Sequence, residues 1–445
     1  MASNAKILSG ASGVLYDDRR DFYIRPNVVK ELWTDVTPFT TVISNQATVS
    51  GMADPQFKMF EHRNPWQKQE AQAAAAADGQ VIAKDNAEDD VELKASSIVG
   101  LEGVGTNTSY NSHIGLQVEV WDDTKTTKSG VLLITDIGTN KWVCKNMGDT
   151  DITMAEDDYL VVVGNAYGEG TVAGTAWSDE LAVVYNQCQI FKTPLQITGT
   201  LLQAALRGES SELARLRDQK SQEHKIQKER AFLFGRSPIN LSGGFQDGST
   251  ASTNYHLSDT DGNRVRSTMG IIPAIEKHGD SSDSSADQND FTISEASYSY
   301  GDFVDDMEKV FQYVPEQGLK RAFCGPGALS YWSKMAGSSG MAGNSGWTVN
   351  LGDMKRDRLG FNYRVLETPH GALQLIPTPV LRDAYNKYML VVSDENLFHA
   401  QYRAPKFQAN ILTDDAYDGV KDQYFSDEGI GITLIESHKL FTITA

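Results

Sequence analysis

Apolar and polar positions alternate in short runs along most of the chain, and only a few stretches carry apolar residues at helical spacing. In DPQFKMFEHRNPW, residues 54–66, Phe57, Met59 and Glu61 alternate with Lys58 and Phe60, and Asn64-Pro65 ends the run, which predicts a strand. Before it, Pro26-Asn27 opens a short predicted helix that runs to Trp33 and is broken at Pro38. After it, the five alanines of QKQEAQAAAAADG offer little to pack and predict a mobile loop. From about 91 to 163 the runs IGLQVEVW, GVLLITDI, KWVCKNM and DYLVVVG are separated by Asp, Asn and Gly. That is the spacing of a small antiparallel β module. GNAYGEGTVAG, residues 164–174, reads as a flexible span, LAVVYNQCQIF as strand and TPLQITGTLLQAALRG as helix.

The C-terminal half alternates the two periods. Residues 241–265 and 279–292 are loops by composition, with the short apolar segment RSTMGIIPAIEKHG between them. FVDDMEKVFQYV places Phe303, Met307, Val310 and Phe311 on one helical face. LKRAFCG reads as strand and GALSYWSKMAG as helix. YRVLETPHGALQLIPTP reads as strand, turn and strand about His370-Gly371, and YMLVVSDENLFHAQY as a further pair. The β-branched tail GIGITLIESHKLFTITA predicts a closing strand, and no internal repeat is present.

One segment breaks the pattern. LARLRDQKSQEHKIQKERAFLF, residues 213–234, is built of strong helix formers, with Ser210 and Ser211 before it and Gly235 after it. Between Arg217 and Lys225 it has no apolar residue. A helix of about 35 Å that is polar all round bridges solvent, relies on charge pairs, or is unstable. Glu212 with Arg215, Lys220 with Glu223 and Lys225 with Glu229 would add about 0.2–0.5 kcal/mol each, too little to hold it alone. Anchored by its ends, LARL and AFLF, it reads as a strut in an assembly, its middle exposed or against the charged surface of a neighbour. A solvated helix on a monomer is the alternative.

Charge and cysteine content narrow the function. The chain has 445 residues, 40 Lys+Arg and 59 Asp+Glu, a formal charge of −19, which argues against a module that grips nucleic acid. It does not exclude a protein that encloses DNA. The length suggests two or three domains. The longest apolar runs, such as residues 159–163, fall far short of the roughly 18 needed to span a bilayer, and the first twenty residues lack a secretory h-region. Cys144, Cys188 and Cys324 read as reduced thiols.

No chemistry-bearing motif is complete. The eight histidines include no H-x-x-x-H pair. SDTDGN at 258–263 imitates a calcium loop, but Gly270 stands where its bidentate Glu belongs, so a turn is expected. GNAYGEGTVAG misses G-x-G-x-x-G by one residue, and GSSG at 337–340 lacks the nucleophile-elbow spacing. No pair of carboxylates stands out. Neither a catalytic residue nor a cofactor or metal site is predicted.

The order and spacing of several blocks resemble the major capsid proteins of tailed bacteriophages. They are VVKELWTDVTPFTTVISN (28–45), DPQFKMFEHRNPW (54–66), GNAYGEG (164–170), QIFKTPLQITGT (189–200), ELARLRDQKSQEHKIQKERAFLFG (212–235) and RSTMGIIPAI (266–275). FCGPGALSYWS (323–333), LGFNYRVLETPHGALQLIPTPVL (359–381) and LVVSDENLFHAQYRAP (390–405) complete the set. The blocks cover about two-thirds of the chain. The resemblance implies an α+β shell-forming fold: an N-terminal arm (1–45), an E-loop region (46–90) with its return (164–199), and a P-domain (200–300) with a long spine helix. An A-domain (301–400) and P-domain C-terminal strands (401–445) follow, and 91–163 is an extra small β-rich domain inserted at the E-loop.

The function it implies is a virion shell subunit made in the host bacterial cytoplasm, closing into hexamers and pentamers around double-stranded DNA without sequence-specific binding. Its partners would be further copies of itself, a separate scaffolding protein, a portal and a cement or decoration protein, with no membrane. The implied subunit interface draws on Trp33, Phe39, Phe57, Phe60, Glu61, Arg63, Trp66, Arg217, Lys220, Glu223 and Lys225. Charge reversal at Arg217, Lys220 or Glu223 is then expected to impair assembly more than folding. An encapsulin-like cellular compartment shell is the alternative within the same fold. A carbohydrate-active enzyme with an appended β module is the alternative outside it.

Overall fold

The computed structural model describes residues 37–62, 70–84, 88–94, 114–138, 141–171, 181–203, 212–237, 257–281, 288–313, 318–337, 350–351, 354–359, 361–411 and 418–444. The helix expected at 26–33 lies outside them. The chain divides into two compact units, residues 1–60 with 183–445, and residues 61–182. The described helices are α1 (Pro38–Gln46), α2 (Gly199–Gln203), α3 (Glu212–Phe234), α4 (Ile271–His278), α5 (Tyr300–Phe311) and α6 (Pro326–Gly337).

The first unit contains an eight-stranded mixed sheet. Its strands lie in the order Asp290–Ser294, Lys439–Thr444, Tyr388–Val392, Leu319–Cys324, Ala372–Pro377, Asn362–Glu367 and Asn350–Leu351, and Lys355–Arg356 also pairs with Asn362–Glu367. Both faces of the central strands are covered, so these read as nearly continuous apolar runs. Ala322, Cys324, Met389, Val391, Phe441 and Ile443 face α5 and α6, whose Phe303, Met307, Val310 and Trp332 complete one core. Phe323, Leu390, Val392 and Leu440 face the other way, toward Phe39, Val42 and Ile43 of α1, Phe232 and Leu233 of α3, and the apolar side of α4. The helical face foreseen for residues 303–311 is therefore the buried one. Ser299 and Asp302 close a reciprocal capping box at its start.

A four-stranded sheet in the same unit runs Thr48–Ser50, Leu397–Gln408, Gly419–Ile432 and Gln189–Thr198. One expectation is corrected here and one helix is added. Pro38 begins α1, where at the first helical position its missing N–H needs no partner. TPLQIT is strand, and among the described residues of that stretch the helix is α2. Phe191, Thr193, Leu195 and Ile197 alternate inward and pair antiparallel with residues 420–426, while Pro194 points out from an edge strand, where it interrupts no ladder. Beside this sheet Gln56–Glu61 forms a two-stranded ribbon with Ala182–Gln187. Phe57, Met59 and Glu61 are buried and Lys58 and Phe60 exposed, as the alternation predicts.

The second unit is a six-stranded antiparallel sheet in the order Glu70–Gln72, Tyr159–Asn165, Leu116–Trp121, Lys128–Gly138, Lys141–Asn146 and Glu88–Glu92. Val118, Val120, Leu132, Ile134, Trp142 and Leu160 form its core. The sheet reaches beyond residues 91–163 to include strands at 70–72 and 88–92. The alanine run is ordered, contrary to expectation. Ala73 bridges to Leu93, Ala75–Ala77 forms a 3-10 turn, and Ala71, Ala73 and Ala77 are fully buried. Their small side chains let this backbone lie directly on the core.

Candidate functional site

Among the described residues no group of three or more His, Cys, Asp or Glu side chains is placed to hold a metal ion, and no helix is long and apolar enough to cross a membrane. The calcium-like SDTDGN is a hairpin turn. Asp259 Oδ1 accepts the Asp261 and Asn263 amides at 3.0 and 2.8 Å, and Gly262 takes φ +81°.

The side chains that set this protein apart lie along α3. Arg217, His224 and Lys228 are spaced by seven and four, so they share one face of the helix. Asp422, Ser426 and Glu428 occupy even positions of Gly419–Ile432 and share one face of the strand. The two rows meet. Arg217 Nη2 lies 2.7 Å from Asp422 Oδ2, Lys228 Nζ 3.0 Å from Glu428 Oε2, and His224 Nε2 3.0 Å from Ser426 Oγ. Asp422 and Glu428 are almost wholly buried.

His224 is held on both nitrogens. Thr193 Oγ1, 3.0 Å from Nδ1, donates its own proton to Gln227 Oε1 at 3.1 Å, so Nδ1–H donates to Thr193 and Nε2 accepts from Ser426. Burial, helped by Lys228, lowers the imidazole to about 4 and keeps it neutral. For Glu428 burial acts to raise the carboxyl, but the bond from His399 and the charge of Lys228 outweigh it and hold the group below its ordinary value. Glu229, next on the helix, turns inward instead of pairing with Lys225. Its Oε2 accepts the Thr40 amide at 3.2 Å, in the first turn of α1, and burial raises it to about 8.

One face of the middle of the helix, at Arg217 and His224, thus finds its partners on its own chain, which narrows the expectation of an exposed or neighbour-covered middle to the side of Lys220, Glu223 and Lys225. The helix needs no apolar stripe because the sheet beneath offers carboxylates and hydroxyls. The alternating polar positions of residues 422–428, between aromatic and glycine neighbours, are the sequence signal that marks this seat. On the sheet's other side Asp427 Oδ2 takes Arg266 at 2.9 Å and Arg403 at 3.0 Å, and the Arg403 guanidinium lies 4.4 Å from the centre of the Phe425 ring.

The residues expected at a subunit interface separate into groups. Phe39 is fully buried and packs edge-on to Phe323 at 5.1 Å, and Phe57 is buried against Phe398 at 5.9 Å. Both serve the subunit's own core. Glu61 is also buried. Arg217 is committed to Asp422, and Lys220 pairs with Glu223 on the helix at 2.6 Å. Lys225 is exposed, and Phe60 is 72% exposed. Trp33, Arg63 and Trp66 lie outside the described residues.

A family model, described as the SU10 major capsid protein, matches residues 22–430. The chain belongs to this family. It is a major capsid protein, a structural and non-enzymatic subunit of an icosahedral shell, and its place is the virion capsid. No curated protein sequence matches this capsid protein. Among solved structures it is similar to the capsid of a native GTA particle, at 8% identity and TM-score 0.46 over 99% of this chain and 100% of that one. It is also similar to a structure of Mycobacterium phage Patience (13% identity, TM-score 0.36, 64% and 78% covered). A third is the SrpI encapsulin complex of Synechococcus elongatus (6% identity, TM-score 0.34, 59% and 77% covered). In the capsid protein the ladder between α3 and residues 422–428 ties the long helix to its own sheet.

Proposed function

We propose that this capsid protein closes into hexamers and pentamers that form the head shell around a double-stranded DNA genome. In this reading residues 1–45 are the arm, 46–90 and 164–199 the E-loop and its return, and 200–300 with 401–445 the P-domain. Residues 301–400 are the A-domain and 91–163 an inserted β domain. The negative balance of the chain lets the shell enclose packed DNA without gripping it. A separate scaffolding protein guides closure, and a portal and a cement or decoration protein complete the head.

The observation that carries the reading is the ribbon of Gln56–Glu61 with Ala182–Gln187. Phe57 and Met59 are buried while Phe60 between them stands 72% exposed. An exposed aromatic on a two-stranded ribbon suits a surface that another copy covers. Phe60, Lys225 and the Lys220–Glu223 pair are the interface residues we retain from the described set, together with Trp33, Arg63 and Trp66. Electron microscopy of the protein expressed with and without a candidate scaffolding protein tests the proposal. Closed shells of uniform diameter are expected with the scaffold, and monomers under both conditions overturn it.

A further inference from the structure

Two surfaces of the eight-stranded domain carry side chains of opposite charge that form no ion pair among the described residues. The outward side of α5 bears Asp302, Asp305, Asp306 and Glu308 against the single cation Lys309. Three of these five have local duties. Asp302 caps the helix, Asp306 Oδ2 accepts the Tyr298 hydroxyl at 2.7 Å, and Lys309 Nζ donates to Gln288 Oε1 at 2.7 Å. Asp305 and Glu308 remain, three positions apart, exposed, and without an ion-pair partner among the described residues. Lys309 Nζ lies 5.9 Å from the Phe291 ring of the edge strand Asp290–Ser294, while Phe311 packs at Gly371 in the turn before Ala372–Pro377, so the end of the helix reaches across the sheet.

The opposite edge is basic. Lys355–Arg356 pairs with the far strand Asn362–Glu367, and Arg358 follows in the turn, where the half-buried Asp357 accepts its amide and leaves the stretch with a net charge of about +2. All three basic side chains are exposed, none has an ion-pair partner among the described residues, and Met354 beside them is 61% exposed. The ion pairs described in this domain, such as Arg321 with Asp394 and Lys387 with Glu295, include neither patch. A two-fold contact between equivalent edges would bring like charges together. A head-to-tail contact brings opposite ones together, and such a contact makes a ring when the rotation between copies closes.

We propose that the basic hairpin at Lys355, Arg356 and Arg358 docks on the Asp305–Glu308 face of α5 in the next copy around the ring, so that charge sets the order of subunits within a capsomer. The proposal rests on the shell reading above. In a chain of net charge −19, such a contact also offsets the mutual repulsion of assembling copies.

The test is a charge swap on the full chain, coexpressed with its scaffold. One variant carries K355E, R356E and R358E, a second D305K and E308K, and a third all five. Particles are counted by electron microscopy and sedimentation, and thermal melting of the unassembled chain reports folding. We expect each partial reversal to cut particle yield by about tenfold or more with melting unchanged, and the fivefold variant to restore it. Coexpressed, the two partial variants complement only each other and close only even-membered rings. Wild-type yield from either partial variant, or a folded fivefold variant that stays unassembled, overturns the proposal while wild-type shells leave the capsid reading standing. Absence of shells from the wild-type chain overturns both.

Discussion

Replacing Lys228 by Met probes the polar seat of the long helix most directly. The ammonium lies 3.0 Å from Glu428 Oε2, the Lys228 side chain is 11% exposed and that of Glu428 not at all. Met keeps most of the volume of the stem but leaves a buried carboxylate facing only His399, whose Nε2 is 3.4 Å away. Removing one member of a buried pair costs about 3–5 kcal/mol, because the remaining charge keeps its desolvation penalty and loses its compensation. Replacing both members, K228M with E428Q, removes that penalty and should return most of the loss, leaving a net change within about 1–2 kcal/mol. The assay is urea unfolding of the unassembled subunit for the wild type, both single variants and the double, analysed as a cycle. A coupling of more than about 2 kcal/mol is expected. A K228M loss below about 1 kcal/mol, the range of exposed pairs, would show that the ladder does not hold the helix and would refute the reasoning.

Other outcomes follow from the same geometry. His224 is held neutral with its value lowered to about 4, so its contribution is complete above pH 6.5 and is lost as pH falls through 4. H224Q should flatten that part of the stability profile. Glu229 has the opposite sense. Burial raises its carboxyl from 4.5 to about 8, so the folded state binds the extra proton and stability falls as pH rises from 4.5 through 8. E229Q should remove this slope in a denaturation series across that range. A Cβ at Gly270 would lie 2.7 Å from the Gly235 amide nitrogen and 2.8 Å from the Leu233 carbonyl oxygen. Because backbone meets backbone there, G270A should cost about 1–3 kcal/mol or more in unfolding free energy. R217E, which sets two carboxylates together at the buried Asp422, should lower the melting temperature of the subunit. K225E, at an exposed position, should leave melting unchanged and lower particle yield alone.

The parts of the fold that were legible in the sequence are those decided by neighbours along the chain. Phe57, Met59 and Glu61 point inward because a strand repeats every two residues, and Phe303, Met307 and Val310 because a helix returns to the same face. The turn at His370-Gly371 between two strands was readable from its residues, and the order of the sequence blocks carried the capsid family. The alanine run and TPLQIT were misjudged for one reason. In each, a distant partner overrides the local preference: Ala73 pairs with Leu93, and Thr193 with Tyr424. The interface expectations at Phe39 and Phe57 failed to separate core from surface, since an aromatic residue on an alternating or helical pattern looks the same whether its own chain or another covers it.

The polar helix divides most clearly into what each level determined. Its composition and flanking residues alone made it a helix, long and without an apolar stripe. That it lies on its own sheet was decided only in three dimensions, where Arg217 meets Asp422 and His224 meets Ser426 across 205 and 202 positions of chain. Residues so far apart in sequence leave no periodic signature of their pairing. The low dielectric between helix and sheet then makes each satisfied contact stabilising and each unsatisfied one costly.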